Sequence, residues 1–188
     1  FDEEISNVTV GSMNNSSTCA TVAPGPGSIQ NRYSNYTTSV SGPSAQIGVP
    51  VSFSLTQTTC NGNYGNGFQI AIDLNQDGDF LDAGELVYSQ PVAASGNHTK
   101  AGTFTIPNTA TLGVTRMRVV NVESAFPTAT NYAQTAYTWG ETEDYCITIL
   151  PPPPCAGTPN PGNTLASTGI ICTSGANVNL SLQNTIIG

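Results

Sequence analysis

Positive charge is nearly missing from this chain. Its 188 residues carry 4 Lys+Arg against 12 Asp+Glu, for a formal net charge of -8. Phosphate binding needs clustered Lys and Arg, so a nucleic-acid partner is excluded. An anionic membrane surface is excluded for the same reason. Charge of either sign is scarce, at 9% of residues, against about a quarter in an ordinary soluble domain. No apolar run approaches the ~20 residues of a membrane-spanning helix, and no membrane insertion is expected. There is one histidine, His98, in Gly96-Asn-His-Thr-Lys100, where it reads as a hairpin-turn residue. The chain has no H-E-x-x-H, G-x-S-x-G or P-loop motif. These absences argue against an enzyme.

Uncharged polarity takes the place of charge. There are 25 Thr, 17 Ser and 18 Asn, with 19 Gly and 13 Pro. Thr suits strands, and Asn, Ser, Gly and Pro suit turns. Lys and Glu, which dress helix surfaces, are almost absent, and no amphipathic helix is legible. Apolar residues recur with period two at Val51/Phe53/Leu55, Phe68/Ile70/Ile72/Leu74, Phe104/Ile106, Met117/Val119 and Tyr145/Ile147/Ile149. Further strands are expected near 4–10, 33–40 and 85–92. About eight short strands, each with one apolar face, predict an all-β, antiparallel two-sheet sandwich of jelly-roll type.

Residues 151–154 are four prolines, a stiff spacer. They divide a first domain, residues 1–150, from residues 155–188, expected to be the truncated start of a second β domain. The opening Phe1-Asp2-Glu3-Glu4 shows no signal peptide and is expected to be a processed or fragment start. Five cysteines point to an oxidising compartment. Cys155–Cys172 would staple the second unit and Cys19–Cys60 the first, leaving Cys146 to a partner outside the chain. Spacing alone does not fix this connectivity.

The acids are clustered. The richest stretch is Asp73-Leu-Asn-Gln-Asp-Gly-Asp-Phe-Leu-Asp-Ala-Gly-Glu85. Hard oxygen ligands at alternating positions, with a glycine for the turn, describe a calcium loop. The expected ligands are Asp73, Asn75, Asp77, Asp79, Asp82 and Glu85. An EF-hand would want its last carboxylate where Gly84 stands, so the loop is expected to join strands. The alternative is an acidic turn whose side chains bond their own backbone. A second cluster, Glu141, Glu143 and Asp144, leads into the last strand. It is expected to pair with Arg116 and Arg118 on a neighbouring strand, or to lend Ca²⁺ a further oxygen. Tyr132, Tyr137 and Trp139 lie in a polar stretch, where they could stack on sugars or pack beside the last strand.

Glu4-Ile-Ser-Asn-Val-Thr-Val-Gly11, Asn14-Asn-Ser-Ser17, Tyr33-Ser-Asn-Tyr-Thr37, Ile72–Phe80, Gly84-Glu85, Thr115–Val119 and Gly140-Glu-Thr-Glu-Asp-Tyr145 occur in an order that resembles a GEVED domain across residues 4–149. Thr142 stands where the family motif has Val, and Cys146 follows the motif. The resemblance implies a non-catalytic β-sandwich module of large secreted or cell-surface Bacteroidetes-type proteins, commonly exported by the type IX system. Residues 155–184 resemble the start of an immunoglobulin-like repeat. The expected role is a structural or adhesive module stiffened by Ca²⁺. Its expected partners are neighbouring domains of the same chain, surface glycans, or further copies in a filament. The other reading is a carbohydrate-binding accessory module of a secreted enzyme.

Overall fold

The computed structural model describes residues 3–91, 93–123, 137–154, 162, 164–166 and 180–183. The chain divides into two compact units, Phe1–Pro153 and Pro154–Gly188. The division falls inside the proline run.

In the first unit the strands are β1 (Glu3–Val10), β2 (Met13–Ser16), β3 (Tyr33–Asn35), β4 (Ser44–Gln46), β5 (Pro50–Thr59), β6 (Gly65–Ile72), β7 (Leu86–Ser89), β8 (Ala94–Ser95), β9 (His98–Thr105), β10 (Gly113–Glu123) and β11 (Gly140–Leu150). They form a sheet ordered β2-β1-β5-β9 and a second ordered β3-β11-β10-β6-β7. In the second unit β12 (Thr164–Ala166) pairs antiparallel with β13 (Leu180–Leu182). No helix occurs among the described residues. The protein is all-β and the first unit is a two-sheet sandwich.

Period-two patterning builds the core. Ile5, Val8, Val10, Val51, Phe53, Leu55 and Phe104 come from the first sheet. Phe68, Ile70, Ile72, Met117, Val119, Tyr145, Ile147 and Ile149 oppose them from the second. Both sets are buried, as each sheet requires of its inner face.

Two expectations need correction. The sheets are not wholly antiparallel, because β3 and β4 both pair parallel with β11. The strand expected over 33–40 is only Tyr33–Asn35, and β2, β4 and β8 were not foreseen. Short polar strands such as Met13-Asn-Asn-Ser16 lack an apolar alternation; backbone pairing at the sheet edge is what defines them.

Candidate functional site

Loop 73–85 joins β6 to β7 and is anchored at both ends. The Ile72 amide donates to the Glu85 carbonyl at 2.8 Å, and the Asp73 amide to the Arg116 carbonyl at 3.0 Å. The Thr115 hydroxyl donates to the Asp73 carbonyl at 2.7 Å. In the middle of the loop Phe80 turns back and buries against Ala71 on the outer face of the second sheet. An acidic loop thus carries one apolar anchor.

The six expected ligands do two different jobs. Asp73 accepts the Gln76 and Gly78 amides at 2.7 and 3.1 Å. Glu85, 1% exposed, accepts the Leu74 amide at 2.8 Å and the Asp82 amide at 3.2 Å. Burial raises its pKa despite those donors. These two carboxylates brace the loop backbone. Asp77, Asp79 and Asp82 instead bring one carboxylate oxygen each within 4.8 Å of one another. Asn75 joins them: its Nδ2 donates to Asp77 at 2.9 Å and to Asp82 at 2.7 Å. The Asp79 backbone N–H, followed by Asn75, holds the Asp77 carboxyl below its ordinary value. The turn reading also has its observations. The Asp77, Asp79 and Leu81 amides donate to the side chains of Asn75, Asp77 and Asp79, two residues back in each case.

The second acidic cluster separates by strand alternation. On β11, Asp144 faces outward and Glu141 and Glu143 face into the sandwich. Arg118 meets Asp144 through Nε at 2.6 Å and Nη2 at 2.7 Å. Tyr33 donates to the same carboxylate at 2.8 Å, and burial together with the Asp144 charge pushes Tyr33 up to about 12. The guanidinium lies 4.8 Å over the Phe80 ring, so it links this ion pair to loop 73–85. Arg116 takes no acidic partner among the described residues. It sits opposite Cys146 on β11 and lines a cleft of about 330 Å³ with Asp73, Gln76 and Cys146.

Among the described residues, Glu141 and Glu143 therefore join neither an arginine nor loop 73–85. Glu141, 0% exposed, accepts the Ile5 amide and the Ser34 hydroxyl, each at 2.8 Å. Glu143 accepts the Tyr145 hydroxyl at 2.7 Å and the Ser17 hydroxyl at 3.4 Å. Glu4, on β1, comes against Glu141 from the opposite sheet. Burial, then the charge and hydrogen bond of Glu141, push Glu4 up to about 8. Burial likewise raises Glu141, and burial plus the Glu141 charge raises Glu143 well above its ordinary value. Sequence reasoning placed the first two near a metal or arginine and missed Glu4. The one signal available was an acid within a strand that carries core residues.

Cys19–Cys60 is a disulfide and Cys146 is a free thiol. Tyr132, Cys155 and Cys172 lie outside the described residues. Trp139 is 50% exposed, whereas Tyr137 is partly buried with its hydroxyl tied to Thr142. His98 opens β9 after the Gly96 turn, with Nδ1 on the Gly96 carbonyl and its ring edge against Phe68.

Among solved structures, the CARDB domain of a Pyrococcus furiosus protein in complex with di-metal ions is similar at 8% identity, with a TM-score of 0.35 over 58% of this chain and 83% of that one. A Niemann-Pick type C2 protein from the Japanese carpenter ant is similar at 7% identity, with a TM-score of 0.34 over 57% and 79%. A family 123 glycoside hydrolase from Clostridium perfringens is similar at 12% identity, with a TM-score of 0.38 over 65% of this chain and 23% of that one. Likeness this slight transfers no ligand or activity. No curated protein matches the chain. The match at family level begins within β6 and stops within β11, so the amino-terminal motifs lie outside it: residues 67–148 match the GEVED domain.

Proposed function

We propose that residues 1–150 form a non-catalytic, calcium-stabilised structural or adhesive module of a large secreted or cell-surface bacterial protein. The observation that carries this reading is the triad Asp77, Asp79 and Asp82, whose carboxylates converge within 4.8 Å on a loop fastened at both ends. Three exposed or half-exposed carboxylates in that space repel unless a cation stands among them. In this structure the Asn75 amide bridges two of the three, and single backbone N–H groups donate to Asp77 and Asp79. Hard oxygens in a flexible loop suit Ca²⁺ better than Mg²⁺, which demands stricter octahedral geometry. Bound Ca²⁺ would brace the loop on which Phe80 and Arg118 rest. The disulfide and the GEVED match are consistent with an extracellular setting. Export by the type IX system and an immunoglobulin-like identity for residues 155–188 belong to the same proposal.

Calcium titration of the chelated protein, followed by the amide resonances of residues 75–82, tests this. Saturable movement at about 10⁻⁴–10⁻³ M is expected, the range of extracellular calcium modules. It should vanish in Asp77→Asn/Asp79→Asn. Loop amides that stay fixed up to 10-fold above that range, about 10⁻² M, would sink the assignment.

Trp139, half-exposed on the approach to β11, favours a second reading as a carbohydrate-binding accessory module. Quenching of its fluorescence by soluble glycans, lost in Trp139→Ala, is the expected sign. A glycan panel that leaves the emission unchanged removes that reading.

A further inference from the structure

Strand register sets two rows of residues face to face at one end of the sandwich. In the first sheet Gln57 lies between Ile5 on β1 and His98 on β9. In the second Asn121 lies between Glu141 on β11 and Phe68 on β6. The rows touch at both ends. The Ile5 amide donates to Glu141 Oε2 at 2.8 Å, and the Phe68 and His98 rings meet edge-on at 5.8 Å. The middle members, Gln57 and Asn121, are therefore opposite one another across the interior. Both are 0% exposed. Neither the oxygen nor the nitrogen of either carboxamide meets a protein hydrogen-bond partner. Glu4 Oε2 is buried without one as well.

Buried amides that forgo every hydrogen bond are rare, because each keeps the cost of leaving water. Two facing each other, beside a carboxyl pair, call for a partner that the protein's own groups do not supply. Its chemistry is set by the neighbours. Glu4, Glu141 and Glu143 bring three buried acids to this end of the sandwich, and none has a basic partner among the described residues. The Arg118–Asp144 ion pair is on the outer face of the sheet. The side chains that register places here carry oxygens and come from both sheets.

We propose that this polar end of the interior is a second cation site, taking a hard divalent ion such as Ca²⁺ between Glu4, Glu141, Gln57 Oε1 and Asn121 Oδ1. The ion would join the two sheets where hydrophobic packing gives way to polar groups. Carboxylates and carbonyl oxygens are the donors Ca²⁺ prefers, with water completing six to eight ligands. The site is separate from loop 73–85: it lies between the sheets, while the loop lies on the outer face.

Calcium stoichiometry of the full, chelated chain, measured by equilibrium dialysis, tests the assignment. Two ions are expected for the parent protein and one for Asp77→Asn/Asp79→Asn. Adding Gln57→Met to that double variant should weaken the remaining ion about tenfold or more. Methionine keeps the shape and removes the polar atoms, so this variant should fold even if Glu141→Gln does not. Where Glu141→Gln folds, it should abolish the remaining ion. A double variant that binds no calcium overturns the interior site, as does a remaining ion indifferent to Gln57→Met. Loss of one ion on Gln57→Met with none lost on Asp77→Asn/Asp79→Asn would uphold the interior site and overturn the loop.

Discussion

Replacing Asp144 by Asn probes the contact that ties the motif strand to the acidic loop. Asp144 is 1% exposed and Arg118 is 18% exposed in their side chains. They meet through two charge-assisted hydrogen bonds at 2.6 and 2.7 Å. Removing one partner of a fully buried pair costs about 3–5 kcal/mol. Arg118 keeps some access to water, and the carboxamide preserves the volume, so the expected loss is about 2–3 kcal/mol. Urea denaturation should show a lower midpoint at unchanged slope. Arg118→Met should cost at least as much, since it strands the Asp144 carboxylate and removes the contact over Phe80, itself worth about 0.5–2 kcal/mol. The Asp144→Asn/Arg118→Met double variant should show a coupling of about 2 kcal/mol. Tyr33 supplies an independent readout. The Asp144 charge is one of the causes holding its hydroxyl near 12, so Asp144→Asn should bring its ionisation back toward 10.0. A single-variant loss under about 0.5 kcal/mol, with additive energies, would refute the ion pair as a structural tie.

Three further outcomes are expected. Gly140→Ala should cost at least ~3 kcal/mol, because Gly140 sits at φ +126 and a Cβ there would collide with the Asn121 carbonyl; a thermal midpoint within about 2 °C of the parent contradicts this. Cys19→Ala/Cys60→Ala opens a link between residues 41 apart and should lower stability by about 4 kcal/mol on the chain-entropy account, read by denaturation with and without reductant. Raised from 10.0 to about 12 in the folded state, Tyr33 gives a contribution present in full below the unfolded value and lost as pH climbs from 10 to 12. Its partial exposure limits that to about 1 kcal/mol. Tyrosinate absorbance should show the delayed ionisation, and stability that rises over this interval would refute it.

Much of the fold was legible because strand alternation is a local property. Phe68/Ile70/Ile72 and Tyr145/Ile147/Ile149 announce their inward faces without reference to any neighbour. The acidic loop was legible for a similar reason, since seven oxygen-bearing side chains crowd thirteen consecutive residues. Division of labour inside it was not. Asp73 and Glu85 look like ligands in one dimension, yet they brace backbone amides, and Asp77, Asp79 and Asp82 alone converge. The parallel additions of β3 and β4 to β11 were hidden too, because three-residue strands carry too little pattern to set direction.

What the sequence determined by itself is a β-rich, acidic, disulfide-permissive chain with one metal-type loop. These follow from composition and short-range spacing. Only the tertiary structure decided which acids face which. Glu143 and Asp144 are adjacent in the chain, but strand pleating sends one into the interior and the other to Arg118. Glu4 and Glu141 are 137 positions apart, and Gln57 and Asn121 64 apart, yet sheet register brings each pair together between the layers. Sequence separation carries no information about such meetings. They arise because two sheets must press their inner faces together, and the few polar residues on those faces then have only one another, or a bound ion, for company.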